Sequence, residues 1–526
     1  MGTDPLHDLI LAVQKNAVFD HPVTRFELIE THISYVLLTG QYVYKFKKPV
    51  NLGFLDFSTL EKRKLFCEEE LRLNRRYAPA LYLDVIAITG SPEQPAVNGD
   101  GEVLEYAVKM QQFPGGMELQ TIQEKGLLTP QHIDDLAENI AEHHQSADIA
   151  DVAGPFGTVS KVLQAAMENI SAIRSSLVDD GMKADLDKLE QWTLESTERL
   201  RSFMEQRREH GFIRECHGDL HLGNIVLYED KPLPFDCIEF SESLRWIDII
   251  SEIAFLIMDL EARDEHPLAY RFLNHYLQLT GDYEGLGLLH FYCVYRALVR
   301  CKVASIRLDQ HDLTPSGERL EREHVLHYLD LAGQYIAPRN TTLFITHGFS
   351  GSGKTTWTQA LLENIGAIRI RSDIERKRMH GFEATASTAS GIHSGIYSRD
   401  STSATYERLL KLAELILRAG YPVIVDATFL KQEMRSKFER LAKELDVAFC
   451  ILDIRAEKAD LRKRVKDRLK KGANASEADT EVFEYQLSHY EPLSEGEKEY
   501  NITIDTSEYD ERNIKGQLEV VKVSLE

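Results

Sequence analysis

Residues 342–357 read TLFITHGFSGSGKTTW, an apolar run that ends in a glycine-rich turn and passes directly into a helix-forming segment. Gly348, Phe349, Ser350, Gly351, Ser352, Gly353, Lys354 and Thr355 fit the pattern G-x-x-x-x-G-K-[ST], and the strand before and helix after it are the context that pattern requires. Glycines at these points let backbone N–H groups turn onto phosphate oxygens, and the start of a helix adds positive potential. Lys354 is then placed to reach the terminal phosphates, and Thr355 offers its hydroxyl to Mg²⁺. The stretch predicts a nucleotide site at the first strand of an α/β domain.

Downstream, strands are expected near 343–347, 367–371, 422–426, 447–454 and 501–505, alternating with helices, the signature of a parallel sheet flanked by helices. Between them the small polar stretch 384–395, ATASTASGIHSG, reads as a loop. The second strand runs into Arg371-Ser372-Asp373, with Arg376 one turn on. Asp373 could accept a proton from an attacking hydroxyl, or cap the helix that follows. The third strand ends in Asp426, which could orient Mg²⁺ through water, hold a substrate group, or sit in a strand-end turn. Arg464 and Arg468 share one helix face and could close over phosphates or form a solvated basic face. Together GFSGSGKTTW, RSDIER, VIVDATF and LRKRVKDR resemble, over about 170 residues, the polynucleotide 5′-hydroxyl kinases and their small P-loop kinase relatives. That resemblance implies that Asp373 and Arg376 engage the attacking hydroxyl, that Asp426 supports the acceptor site, and that Arg464 or Arg468 clamps phosphates.

A second constellation lies upstream. Cys216–Asn224 reads CHGDLHLGN, containing H-G-D-x-x-x-x-N with His217, Asp219 and Asn224, and Asp236 follows in PFDCIEF. The order is that of a base followed by two metal ligands: Asp219 would orient or deprotonate an acceptor hydroxyl, and Asn224 and Asp236 would hold Mg²⁺ on the ATP phosphates. Lys45, in the strand-like YVYKFKKP, is the candidate phosphate-pairing lysine, and Glu70 its helical partner, with Glu69 as rival and solvated charges as the alternative for all three. Having H-G-D-L-H-x-G-N and D-x-I-E-F in place of H-R-D and D-F-G, the segment resembles the aminoglycoside phosphotransferase and choline kinase branch of the protein-kinase-like fold, over most of residues 25–310. The resemblance implies that Gln111, Gln112 and Phe113 form the hinge facing adenine and that Asp248 is the structural aspartate behind the catalytic loop. No G-x-G-x-x-G precedes Lys45; only a Thr39-Gly40 turn stands there. Fusion of the two domains resembles bacterial proteins described as phosphotransferase and ATPase fusions.

The expected architecture is therefore a bilobal α+β kinase-like domain over 1–337, with a sheet-rich lobe 1–114 and a helical lobe 115–337, followed by an α/β P-loop kinase domain over 338–526. The chain of 526 residues, 43% hydrophobic and 28% charged, is long enough for two or three cores. Its formal charge of −23 is uneven: from Thr341 onward 28 Lys and Arg face 30 Asp and Glu, against 33 and 54 before it. So acidic a first part repels nucleic acid, and only the second could handle it, which an exposed basic strip from Arg371 to Arg378 would favour. Six scattered cysteines without a C-x-x-C pair, His143-His144 without ligand spacing, and a start without an export signal point to a reducing cytoplasm with no zinc site or disulfide framework. The reading is an ATP- and Mg²⁺-dependent phosphotransferase acting on hydroxyls, a small molecule in the first domain and a small molecule, nucleotide or polynucleotide 5′-end in the second. The rival class is an ATP-gated switch that transfers nothing.

Overall fold

The computed structural model describes residues 4–16, 19–23, 25–53, 55–176, 180–308, 313–382, 399–471, 480–507 and 511–523. The polar stretch 384–395 and the side chain of Arg468 lie outside the described residues. The chain forms two compact units, Met1–Asp259 with Leu298–Glu321, and Leu260–Ala297 with Arg322–Glu526.

The first unit opens with α1 (Pro5–Asn16), a helix that the sequence reading did not include. There follow β1 (Glu27–Glu30), β2 (Ser34–Leu38), β3 (Tyr42–Lys47), α2 (Leu60–Asn74), β4 (Tyr82–Ser91), β5 (Gln94–Val97) and β6 (Val103–Gln111). The strands make an antiparallel sheet in the order β1-β2-β3-β6-β4-β5. Side chains alternate along β3, so Tyr44 and Phe46 pack with Leu6, Ile10 and Val13 of α1, while Val43 packs on the other face with Cys67 of α2. Lys45 and Lys47 have the parity of Val43. The same alternation that builds the core therefore aims two lysines at α2, whose start is fixed by Thr59 accepting the Lys62 N–H.

Helices dominate next: α3 (Leu119–Glu124), α4 (Pro130–Ser146), α5 (Val159–Ser176) and α6 (Asp180–Glu209). Then come β7 (Ile213–Glu215), β8 (Ile225–Tyr228), β9 (Lys231–Pro234), α7 (Glu242–Arg245), β10 (Trp246–Asp248), α8 (Ile249–Glu261), α9 (His266–Thr280), α10 (Leu286–Leu308) and α11 (Pro315–Ile336). β7 pairs with β10 and β8 with β9, both antiparallel. The strand expected through PLPFDCIEF stops at Pro234, because Asp236 adopts a φ of 65°, which extended backbone cannot have. No helix among the described residues is long and apolar enough to cross a membrane. All six cysteines are free and buried.

The P-loop sheet consists of β11 (Thr342–His347), β12 (Ile368–Arg371), β13 (Val423–Asp426), β14 (Ala448–Arg455) and β15 (Asn501–Asp505), all parallel, in the order β12-β13-β11-β14-β15. Around it lie α12 (Lys354–Ile365), α13 (Ser372–Met379), α14 (Arg399–Arg418), α15 (Gln432–Glu444), α16 (Lys458–Lys471), α17 (Thr480–His489) and α18 (Glu511–Val523). Trp357, Phe344, Ile424 and Leu452 centre its core. These strands start and end within about a residue of the expected ones, since each apolar run is bounded by polar or glycine residues.

The edge strand β12 is closed by α9. Asn274 donates to the Ala367 carbonyl at 2.9 Å and accepts from the Arg369 N–H at 2.7 Å, supplying the two bonds that a further strand would make. Arg271 pairs with Glu363 at 2.8 Å, and Arg378 donates to the Gln278 carbonyl at 2.5 Å. The break at Ala337–Asn340 thus marks where the sheet starts, while a helix from far upstream packs with it.

Candidate active sites

In the first unit Lys45 Nζ lies 2.8 Å from Glu70 and 2.5 Å from Asp236, bringing together a strand, a helix and a loop. Glu69, the rival for Glu70, instead bonds Arg72 and Arg245. Burial works against charge on Lys45 and Glu70, but Asp236 and Glu70 together raise the lysine, and Lys45 and Lys47 hold the Glu70 carboxyl down at about 2. Lys47 was not picked out from the sequence. Its side chain is 1% exposed, and its ammonium lies 2.7 Å from the other Glu70 oxygen and in contact with Glu239. The loop that carries Asp236 is held by its own N–H to Tyr82 Oη at 3.1 Å and by the Cys237 N–H to Asn74 at 2.9 Å.

Asn224 donates to the Asp219 carboxylate at 2.9 Å, which leaves its carbonyl oxygen available to a cation. Burial disfavours the Asp219 carboxylate, yet the neighbouring His221 outweighs it and keeps the carboxyl well below the usual range, so it is ionised at neutral pH. His217 Nδ1 accepts from the Asp219 N–H at 3.3 Å and its Nε2 faces the Phe235 carbonyl at 2.8 Å. Only the neutral tautomer with hydrogen on Nε2 satisfies both, and burial, holding His217 at about 4, agrees. His217 thereby ties the Asp219 loop to the Asp236 loop. Gly218 stands at φ 89°, where an added Cβ would lie 2.9 Å from the Leu244 carbonyl oxygen.

The carboxylate touching the back of this loop is Glu252 and not Asp248. Glu252 accepts the N–H groups of His217 at 2.7 Å and Gly218 at 3.0 Å, and Asp259, on the same face of α8, accepts that of Leu222 at 3.0 Å. Asp248, one turn earlier, forms a buried two-pronged pair with Arg207 at 2.8 and 2.9 Å. Glu252 also gathers His144 and Cys216 into a buried cluster whose polar atoms lie within 4.8 Å of one another, a meeting that spacing along the chain did not reveal. At the expected hinge, the Gln112 side chain accepts the Gly40 N–H at 2.9 Å, joining the β2–β3 turn to the end of β6, and Phe113 meets Phe235 edge-on.

Burial holds His143 at about 2, His144 at about 3 and His217 at about 4, against an ordinary 6.5. As pH falls below 6.5 the unfolded chain takes up protons that the folded chain refuses, so stability drops with acidity. At about pH 5 each such group contributes roughly 2 kcal/mol of destabilisation. Thermal melts from about pH 7.5 to about pH 5 are therefore expected to show a steep loss of Tm, shallower in His144→Gln. A melting temperature flat across that interval would contradict the neutral, buried state of these rings.

In the second unit Gly348 has φ 150°, and a Cβ there would come within 2.4 Å of the Ile454 carbonyl oxygen. Lys354 Nζ donates to the Gly348 and Phe349 carbonyls at 3.0 and 2.8 Å, folded back over the turn. Ser350 and Gln486 exchange two hydrogen bonds, and the Ser352 carbonyl accepts from Thr506 at 2.8 Å. Thr355 Oγ1 donates to Asp426 at 2.8 Å, which leaves its lone pairs free for a cation. Asp426 also lies 3.9 Å from Arg371. Arg369, held down at about 10 by burial and by Arg371, supports the Thr355 carbonyl from beneath.

Asp373 is partly exposed in the first turn of α13, and the cap position falls to Arg371, which makes no side-chain cap bond. Arg376 is buried beside Thr402. Arg464 is turned to the Thr506 carbonyl at 2.6 Å. The basic strip Arg371–Arg378 is not an exposed face, since Arg376 and Lys377 are buried and Arg378 bonds Glu375 and Gln278.

Residues 343–493 match the family model described as an AAA domain. Over 428 residues the chain is 31% identical to the uncharacterized protein Rv2004c of Mycobacterium tuberculosis, covering 81% of this chain and 83% of that one, with the same values for Mb2027c of Mycobacterium bovis. The chain belongs to that family. Among solved structures, the amicoumacin kinase hAmiN in complex with AMP-PNP, Ca²⁺ and Ami aligns at 13% identity over 62% of this chain and 94% of that one, TM-score 0.39. An ethanolamine kinase of Plasmodium vivax aligns at 11% over 61% and 84%, TM-score 0.38. A gluconokinase of Sinorhizobium meliloti aligns at 18% over 36% and 97%, TM-score 0.26.

Proposed function

We propose that the chain carries two separate phosphotransfer sites, each moving the γ-phosphoryl group of ATP to a hydroxyl. In the first, Lys45 pairs with the phosphates, Asn224 and Asp236 hold Mg²⁺, and Asp219 fixes the acceptor hydroxyl and takes its proton as the new P–O bond forms. In the second, the P-loop backbone and Lys354 receive the phosphates, Thr355 and Asp426 hold Mg²⁺, Asp373 takes the proton, and Arg376 aligns the acceptor. Bound Mg²⁺ supplies charge neutralisation on the phosphate oxygens. The donor sets suit a hard cation, because Asn224 and Thr355 each spend a hydrogen on an aspartate and keep oxygen lone pairs in reserve.

The observation that carries this reading is the contact of Lys45 with both Glu70 and Asp236, since these groups meet only through folding and each has a separate task toward a nucleotide. A small hydroxyl compound is the first site's acceptor. From Asp236 the chain reaches α7 at Glu242 and β10 at Trp246, leaving no segment on which a peptide could lie. At the second site the burial of Arg376 and Lys377 favours a small molecule or nucleotide over a polynucleotide end. A screen of metabolites and oligonucleotides with γ-labelled ATP on the full chain tests the proposal. Asp373→Asn is expected to cut the second site's transfer by roughly 10²-fold or more with ATP affinity preserved. Bound ATP without labelled product from any acceptor class would leave a nucleotide-gated switch instead.

A further inference from the structure

Resting on the ATP reading of the first site, the geometry points to Lys47 and Glu239 as a positioning pair that releases Lys45 and Asp236 to the nucleotide. Two lysines and three carboxylates share one cluster: Lys45 bridges Glu70 and Asp236, and Lys47 bridges Glu70 and Glu239. They lie in a gradient of exposure. Glu70, Lys47 and Glu239 are 0%, 1% and 5% exposed, whereas Lys45 is at 16% and Asp236 at 44%. The inner three are locked, and the outer pair faces the nucleotide side.

Binding Mg²⁺-ATP requires the outer pair to part, the carboxylate going to the metal and the ammonium to phosphate. Without Lys47, Lys45 would be the one cation of the cluster for both buried carboxylates, Glu70 and Glu239, and drawing it toward phosphate would leave the two short of a counter-ion. Lys47 prevents this, because it bridges the second oxygen of Glu70 to Glu239. Glu239 in turn anchors Lys47, and being three residues beyond Asp236 it tethers the metal loop to β3 while Asp236 changes partner. The cluster carries one surplus negative charge. Removing Lys47 alone makes that surplus two and binds Lys45 more tightly inside; removing Lys47 and Glu239 together restores it.

Mg²⁺-ATP calorimetry on the full chain in a Lys354→Ala background, with thermal melts alongside, tests this. Lys47→Met is expected to weaken Mg²⁺-ATP by about tenfold or more, and Lys47→Met with Glu239→Gln to return the affinity to within about threefold of the parent. The melts separate the roles, since a merely structural lysine would lower Tm in Lys47→Met without moving the Mg²⁺-ATP affinity of the folded protein. If Lys47→Met alone does not fold, the double variant decides, since its charge balance equals the parent's. Parent-like binding in Lys47→Met, or a folded double variant that binds no better than about tenfold below the parent, overturns the inference. Lys45→Met is the separate control: if it too binds like the parent, the proposed ATP site falls, and the inference with it.

Discussion

Lys354→Ala in the full chain is expected to remove one of two bound equivalents of Mg²⁺-ATP and to leave the other unchanged. The ammonium sits over the P-loop on the Gly348 and Phe349 carbonyls, within the same turn whose N–H groups are to meet phosphate. Charge-assisted hydrogen bonds from one lysine to phosphate contribute roughly 1.5–3 kcal/mol each, so losing two raises Kd by about 10²-fold or more. Phosphate would also lose its nearest full positive charge. Isothermal calorimetry reads this as a fall in stoichiometry. Two equivalents with unaltered affinity would remove the P-loop assignment.

Asp219→Asn is expected to separate chemistry from binding at the other site. The carboxylate is ionised, accepts from Asn224 and is held by the His217 loop, so an amide of the same shape keeps the loop in place but cannot take a proton. Transfer from the first site should fall by about 10²–10³-fold with Mg²⁺-ATP affinity nearly intact. Asp236→Asn should do the opposite, weakening Mg²⁺-ATP itself, because it removes a charged metal ligand and leaves Lys45 bound to Glu70 alone. Single-turnover transfer and calorimetry on both variants distinguish them. Equal Mg²⁺-ATP affinity in both would deny Asp236 its metal.

The sequence by itself determined the features that are local. The glycine spacing of 348–355, the strand and helix that flank it, the five apolar runs of the P-loop sheet and the H-G-D-x-x-x-x-N spacing are all contained in short windows, where periodicity and turn chemistry act directly. Lys45 and Glu70 could be named as partners because a family resemblance supplied the long-range link that no local pattern holds.

Tertiary structure alone decided the rest. Nothing in YKFKKP singles out Lys47; it is buried because β3 alternates and α2 covers the face that it shares with Lys45. Asp248 ends β10 and Glu252 follows four residues on in α8, and only the path of α8 behind the loop makes Glu252 the one that holds the His217 and Gly218 amides. Whether Arg371–Arg378 forms an exposed basic strip was open in the sequence, and packing against α9 and α14 turns it inward. The polar residues before β11 mark the start of its strand, yet Asn274 joins α9 to β12 across nearly a hundred residues of chain, since an open sheet edge takes its hydrogen bonds from whatever element folding brings beside it.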